Sequence, residues 1–158
     1  NVMKILLAID GSEYSNTAVE ELSRMRFPAN TEVRVISVFE NPLLAAPGVV
    51  PLGGSMGNYY EEAVSNAKKT AEDIVQNASL VLQKKNADLS ITTAVVKGLP
   101  KITILDEAET FGAELIVIGS HGHGAFKRFL LGSVSQSVSV HADCSVLIVR
   151  RPNTEEKR

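Results

Sequence analysis

The sequence has one cysteine, few aromatic residues and no long apolar run, and each shortage excludes a class of protein. Cys144, as the single cysteine, leaves no internal disulfide and fits a reducing compartment. Aromatic residues make up 5% and tryptophan is absent, so a flavin ring would have little to stack on. No apolar run approaches the ~20 residues that span a bilayer, and no basic and apolar leader is visible.

Charge and length narrow the class further. A net charge of −2 offers no general attraction for nucleic acid or for an anionic membrane, which favours a soluble cytoplasmic protein. The length of 158 residues predicts a single domain, which we expect over residues 3–151. Asn1 and Val2 precede Met3, which we take as the natural start, so we interpret them as a cloning remnant. The polar tail 152–158 is expected to fray.

Short aliphatic runs alternate with helical patterns along the chain. Four runs are strongly apolar and a fifth is less so: residues 4–10, 32–39, 114–119, 145–150 and 90–96. Such runs, rich in β-branched residues and bounded by polar ones, are typical of strands buried on both faces of a parallel sheet. The resulting order β-α-β-α-β-α-β-α-β predicts an α/β fold, an open parallel sheet with helices on both faces.

Apolar periodicity and capping residues locate the first two helices. Ser12 or Ser15 is the expected N-cap of the first helix. A long second helix is predicted over about residues 59–86, where Asn58 and Glu61 form a capping box.

The third and fourth helices are shorter. The third is predicted to begin after Pro100, with Ile102 and Leu105 on its apolar face. The fourth is predicted to open at Ser133, in a capping box with Gln136. The segment 40–58 has three prolines and four glycines and is predicted to be a loop, of a length that is more often functional or mobile than structural.

In open parallel sheets, ligands bind beyond the carboxyl ends of the strands, where the strand order reverses. The glycine-rich stretch 119–133 follows the fourth strand and therefore lies at this edge. It is not a Walker A loop, and Lys127 stands where the third glycine of a dinucleotide fingerprint belongs.

Glycines followed by a helix start can bind an anion through main-chain amides. Ser133 and Ser135 would add hydroxyl donors in that first turn. The alternative is a plain surface loop with a serine N-cap, and the residue types alone leave both interpretations open.

The spacing Gly119-x2-Gly122-x9-Gly132-Ser133 resembles the nucleotide motif of the universal stress protein family, in its ATP-binding branch. The opening KILLAIDGSEYS and the ending GSVSQSVSVHADCSVLIVR are similar to the same family, so the resemblance covers residues 3–151. It implies a five-stranded sheet of order 3-2-1-4-5, of the Rossmann-like or adenine-nucleotide α-hydrolase-like type. ATP, or ADP or AMP, would occupy a cleft over strands one and four.

The resemblance also implies which residues line that cleft. Some would contact adenine or ribose, and the glycines and serines would surround the phosphates. The implied residues are Ala8, Asp10, Val38, Ile118, Gly119, His121, Gly122, Gly132, Ser133, Val134 and Ser135.

Asp10 is the candidate ligand for magnesium or for the ribose hydroxyls. The alternative is an Asx-type turn, because Asp-Gly-Ser is also a turn sequence. A transition-metal site is disfavoured for the three histidines His121, His123 and His141, because no cysteine or carboxylate lies at a settled spacing.

No pairing of a nucleophile with a base is apparent, so no catalytic residue is assigned and a dedicated enzyme is not expected. The favoured hypothesis is an ATP-binding universal stress protein that acts as a nucleotide-responsive regulator on an unknown partner. A slow magnesium-dependent ATP hydrolase and a nucleotide-independent partner-binding module are the alternatives. The resemblance further suggests a homodimer formed through strand five, residues 145–150.

Overall fold

Five strands and four helices alternate in the residues that the computed structural model describes, which are 2–42, 55–123 and 131–151. The strands are β1 (Lys4–Ala8), β2 (Glu32–Phe39), β3 (Ser90–Lys97), β4 (Leu115–Gly119) and β5 (Ser145–Val149). The helices are α1 (Glu13–Arg24), α2 (Ser55–Lys85), α3 (Pro100–Phe111) and α4 (Ser133–His141). Among these helices, none is both long and apolar enough to cross a membrane.

The strands form one parallel sheet in the order β3-β2-β1-β4-β5, which confirms the expected topology. Ala8 at the end of β1 pairs with Ile36 on one side and with Ile118 on the other. The chain runs outward from β1 to β3 and then crosses back to β4, so the order reverses between β1 and β4. The carboxyl ends of these two strands therefore meet at the switch point where such sheets bind ligands.

Alternate residues of β1 enter two separate cores. Ile5 and Leu7 pack with α1 and α2 on one face of the sheet. Leu6 and Ala8 pack with α3 and α4 on the other face. Because β1 lies in the middle of the sheet and is covered on both faces, these four side chains are almost completely buried. The end of β1, where ligands bind in such sheets, is therefore held by core packing on both faces.

Helix α1 begins as expected, and α2 does not. Ser12 is the N-cap of α1, and its hydroxyl accepts a hydrogen bond of 3.2 Å from the Ser15 amide. Helix α2 already begins at Ser55, so the capping box predicted for Asn58 and Glu61 is wrong. An N-cap residue has non-helical backbone angles, which a residue inside a helix cannot adopt. The predicted loop 40–58 therefore ends before Ser55, and its residues 43–54 lie outside the described residues.

Helix α3 starts at Pro100 itself and not after it, and of the two residues predicted for its apolar face only Leu105 packs against the core. Ile102 is 57% exposed, whereas Ile104, Ala108 and Phe111 pack against the sheet. Those three follow the i, i+4, i+7 spacing, which places them on one stripe. The sequence of α3 has two overlapping apolar stripes, one from Ile102 and one from Ile104. Packing against the sheet determines which of the two is buried.

Helix α4 is capped by Gly132, which has no side chain to form a cap hydrogen bond. Ser133 is the first helical residue, so the predicted capping box with Gln136 is wrong. The Gln136 amide instead donates to the Gly132 carbonyl over 3.0 Å. The Gly132 amide donates to the Ser120 carbonyl over 2.7 Å, which fixes the start of α4 against the end of β4.

Candidate functional site

A cleft of about 770 Å³ lies at the carboxyl ends of β1 and β4, where the strand order reverses. Its floor is the end of the sheet, and α2 and α4 supply two of its walls. The volume falls within the range of ~300–1,000 Å³ that is usual for small-molecule pockets.

All the residues proposed from the sequence as a nucleotide site line this one cleft. They come from β1, β2, β4, α4 and the turns after β1 and β4: Ala8, Asp10, Val38, Ile118, Gly119, His121, Gly122, Gly132, Ser133, Val134 and Ser135. The segment 124–130, which includes Lys127 and Arg128, lies outside the described residues.

Sequence reasoning misses the contribution of α2. Ala67, Thr70, Ala71 and Ile74 line the cleft from this helix. Their i, i+3, i+4, i+7 spacing indicates an apolar face, which periodicity alone assigns to the core. Only the position of α2 over the end of the sheet shows that the same face also bounds the cleft.

The first turn of α4 lies along the wall of the cleft. The N-cap Gly132 makes no side-chain cap, and Ser133, Val134 and Ser135 follow it along the cleft wall. The first amides of a helix have no partner within the helix, and the dipole gives this end a partial positive charge. This corner of the cleft therefore suits an anion.

The two serines of this turn differ in role. Ser133 is exposed, whereas Ser135 is 2% exposed and donates its hydroxyl to the Ser120 carbonyl over 2.7 Å. The Gly132 carbonyl lies 3.1 Å from the same hydroxyl. Because a hydroxyl has one proton and both neighbours are acceptors, the Ser135 hydroxyl has none left for a ligand. The expectation of a hydroxyl donor is therefore wrong for Ser135, and for Ser133 it stays a prediction.

Close contacts explain why glycine occupies three of these positions. A Cβ on Gly119 would lie 2.8 Å from the main chain of Tyr14, in the first turn of α1. A Cβ on Gly122 would lie 2.7 Å from Asp10 Oδ2, and one on Gly132 would lie 3.1 Å from the Cα of His121. The spacing of the motif is therefore a packing requirement of the loop.

The imidazole of His121 contacts the residue before it and the first turn of α1. Its Nδ1 lies 3.0 Å from the Ser120 hydroxyl, and its ring lies 5.1 Å, centroid to centroid, from the ring of Tyr14. His121 thereby links the end of β4 to the start of α1.

Asp10 lies in the turn after β1, which ends at Ala8 and not, as predicted, at Asp10. Its Oδ1 accepts the Ser12 amide over 2.9 Å, and its Oδ2 accepts the His123 amide over 3.0 Å. Burial raises the pKa of this carboxyl, but the hydrogen bonds from Ser12 and His123 outweigh it and hold the pKa below its ordinary value. Asp10 is therefore a carboxylate, and it forms the Asx-type turn that was the alternative interpretation.

The cleft has few ligands for a metal ion. Among the described residues, no three histidine, cysteine, aspartate or glutamate side chains are placed to hold one. His141 lies at the other end of α4, where its Nδ1 is 2.9 Å from the Ser137 carbonyl. Magnesium is commonly bound by one or two carboxylates together with substrate phosphates and water. The residues of this cleft fit a magnesium ion that is coordinated mainly by the phosphates of a ligand better than one coordinated mainly by protein side chains.

Comparison with known proteins identifies the family. The model of the universal stress protein family matches residues 1–150. Universal stress protein YxiE of Bacillus subtilis is 31% identical over 147 residues, which cover 93% of this chain and 98% of the relative.

Solved structures agree with the sequence comparison. The structure of MJ0577, a universal stress protein of Methanocaldococcus jannaschii, has a TM-score of 0.80 at 26% identity and covers 96% of this chain and 98% of its own. A universal stress protein from Arabidopsis thaliana, with AMP bound, has a TM-score of 0.59 at 16% identity and covers 96% and 93%. With the family model matched over almost its whole length, the chain belongs to the universal stress protein family.

Proposed function

We propose that this protein binds ATP, or ADP or AMP, in the cleft and acts as a nucleotide-responsive regulator in the stress response. One observation carries the proposal: the first turn of α4, with Gly132 as its N-cap, opens onto a cleft that also has an apolar wall. The amides there suit phosphate oxygens, and the apolar wall suits a purine base. The AMP bound to the Arabidopsis protein is a ligand of the same chemical class.

The proposed placement is the one that the resemblance to the ATP-binding branch of the family implies, and the lining of the cleft is consistent with it. Val38, at the end of β2, offers an apolar surface and main-chain groups for the base edge. Ile118 and Gly119 would lie beside the ribose. Gly122 and the first turn of α4 would surround the phosphates.

The carboxylates in the cleft support binding of ATP without its rapid hydrolysis. Asp10 and Glu40 are the carboxylates among the described lining residues. Both oxygens of Asp10 already accept a main-chain hydrogen bond, which leaves fewer lone pairs with which to orient an attacking water. A slow magnesium-dependent hydrolase is the competing function, and it requires phosphate release that is lost in Asp10→Ala while binding is kept.

A proline at the first helical position tests the role of the amides directly. Proline is favoured there because its missing N–H has no helical partner, and Gly132 has the extended backbone that precedes proline readily (φ −72°, ψ 166°). Ser133→Pro removes the amide and the hydroxyl, and Ser133→Ala removes the hydroxyl only. Ser139→Ala, on the exposed side of the same helix, is the matched control.

Calorimetry with ATP on nucleotide-stripped protein gives the readout. We expect Ser133→Pro to weaken ATP binding by about tenfold to a hundredfold, the effect of one hydrogen bond to a charged group, with an unchanged melting temperature. Ser133→Ala should weaken it less, and Ser139→Ala should not change it. Wild-type affinity in Ser133→Pro, or no binding by the wild type, would contradict the proposal and favour the partner-binding module.

The assembly and location are part of the same proposal. We propose a homodimer through β5, in the cytoplasm, with a partner protein that responds to the nucleotide state. In the described residues β5 pairs only with β4, and its residues Val146, Leu147 and Ile148 are partly exposed. A partly exposed apolar edge strand is usually paired or covered.

A further inference from the structure

His123 and Asp10, which are 113 residues apart in the chain, are joined by two hydrogen bonds at the mouth of the cleft. The His123 amide donates to Asp10 Oδ2 over 3.0 Å. The Nε2 atom of the His123 ring lies 3.0 Å from the main-chain oxygen of Asp10. Because a carbonyl oxygen can only accept, Nε2 is the donor and carries the proton. We call this pair of bonds the clasp.

We propose that the clasp makes His123 and Asp10 positioning residues of the nucleotide site, and that the Asp10 carboxylate is used by the clasp and not as a direct magnesium ligand. This inference rests on the proposed function. It concerns how the site is held together and which role the metal has in it.

Each oxygen of the Asp10 carboxylate already accepts one main-chain amide. Ser12 donates its amide to Oδ1 over 2.9 Å, and His123 donates its amide to Oδ2 over 3.0 Å. Direct ligation would require magnesium to approach to about 2.0–2.1 Å in near-octahedral geometry while it keeps several waters. A metal ion would therefore have to share an oxygen with one of the two amides, and an amide displaced by the ion and left without a partner is costly.

The carboxylate is closely packed on one side, although Asp10 also lines the cleft. Gly122 lies so near that a Cβ there would be 2.7 Å from Oδ2. Gly11, the next residue of the turn, has a left-handed φ of +81°, and a Cβ there would meet Ile74 of α2 at 2.9 Å. The turn after β1 and the loop after β4 are therefore packed together on the Gly122 side of the carboxylate, and a hydrated ion could approach Asp10 only from the side that lines the cleft.

The clasp joins two segments that border the cleft. It fastens the loop after β4 to the turn after β1, and both Asp10 and His123 line the cleft. The same loop leads to Gly122, and Gly132 is fixed to the end of β4 through the Ser120 carbonyl. The clasp thus sets the separation between the amides on either side of the proposed phosphate position.

Four proteins compared by calorimetry separate the two roles of Asp10: the wild type, Asp10→Asn, His123→Ala and His123→Gln. ATP is titrated into each one, once with magnesium and once with a chelator. We expect Asp10→Asn to weaken binding about tenfold and His123→Ala about three- to tenfold, by the same factor in both conditions. His123→Gln keeps an amide donor for the Asp10 carbonyl, so it should bind within about twofold of the wild type.

The inference is overturned if Asp10→Asn weakens binding only when magnesium is present, as loss of a metal ligand would. His123→Ala provides the same comparison if Asp10→Asn does not fold. If Asp10 ligates the metal, opening the clasp frees the carboxylate, and binding with magnesium should strengthen relative to binding without it.

Amide hydrogen exchange tests the clasp without any nucleotide. The His123 amide should be protected in the wild type and should lose this protection in Asp10→Asn, with β1 amides unchanged as the control. An unprotected His123 amide in the wild type would refute the clasp itself. Protection together with no ATP binding would instead refute the proposed function and leave the clasp standing.

Discussion

Gly119, at the end of β4, lies so close to Tyr14, in the first turn of α1, that a Cβ would come 2.8 Å from the Tyr14 carbonyl carbon and oxygen. The contact joins the cleft floor to the helix that follows β1. Because the neighbour is main chain, it cannot rotate away as a side chain could, and a methyl group must displace α1 or distort β4.

We therefore expect Gly119→Ala to lower the free energy of unfolding by about 1–3 kcal/mol, the usual range for overpacking. Gly57→Ala is the opposite control, because Gly57 lies inside α2 and a methyl group there would have nothing within 4 Å of it. That change should raise the free energy of unfolding by about 0.5–1 kcal/mol, the helical preference of alanine over glycine. Urea denaturation measures both, and equal effects of the two substitutions would contradict the packing argument.

Substitution of Ser135 should change the stability of the fold, whereas substitution of Ser133 should leave it almost unchanged. Ser135→Ala removes a buried hydroxyl that donates to the Ser120 carbonyl and leaves that acceptor without this donor. We expect it to lower the free energy of unfolding by about 1–2 kcal/mol, as for other buried hydrogen bonds. Ser133→Ala, at an exposed position, should change the free energy of unfolding by less than about 0.5 kcal/mol. Thermal and urea denaturation of the two variants would refute this assignment if their order were reversed.

Asp10 should make the stability depend on pH in the acid range. Its pKa is lower in the folded protein than in the unfolded chain, so its contribution is complete above the unfolded value of about 3.9. The contribution is lost as the pH falls through the lower folded pKa. Asp10→Asn should therefore be less stable than the wild type at pH 6, and the gap should close as the pH falls below about 4.

Urea denaturation at a series of pH values measures that gap. Asp88→Asn is the matched control, because it removes the same charge from an exposed position. A gap between the wild type and Asp10→Asn that stays constant down to the lowest pH would show that the carboxylate charge does not stabilise the turn.

The two edge strands allow a controlled test of assembly. Ile148 is partly exposed on β5, and Ile91 is partly exposed on β3, at the opposite edge of the sheet. If the homodimer forms through β5, Ile148→Lys should yield monomers and Ile91→Lys should leave the dimer intact. Sedimentation velocity would decide, and a wild type that is monomeric at all concentrations would refute the dimer.

The sequence predicts the fold well where a single pattern, such as an aliphatic run, determines the local structure. The aliphatic runs of β1, β2 and β4 predict the strands, because a strand buried on both faces must be continuously apolar. Their strict alternation with helices then leaves the parallel sheet as the consistent arrangement. The residues proposed for the cleft meet there because the carboxyl ends of parallel strands share one edge of the sheet.

The errors arise where a local pattern has more than one solution. Ser133 and Gln136 have capping-box spacing, but Gly132 can adopt the N-cap conformation one residue earlier. Ile102 and Ile104 both begin apolar stripes on α3, and only the sheet selects the second. The clasp could not be predicted, because nothing in the sequence near Asp10 indicates that His123 lies against it.

If the cleft binds its nucleotide through main-chain amides, as proposed, this has a consequence for how such proteins diverge. Every residue except proline supplies an N–H, so a side chain in the first turn of α4 can be exchanged without removing the donor it carries. The positions that should resist exchange are those where a methyl group does not fit, such as Gly119 and Gly122. We therefore expect two relatives of low overall identity to share the geometry of the cleft when they keep these glycines.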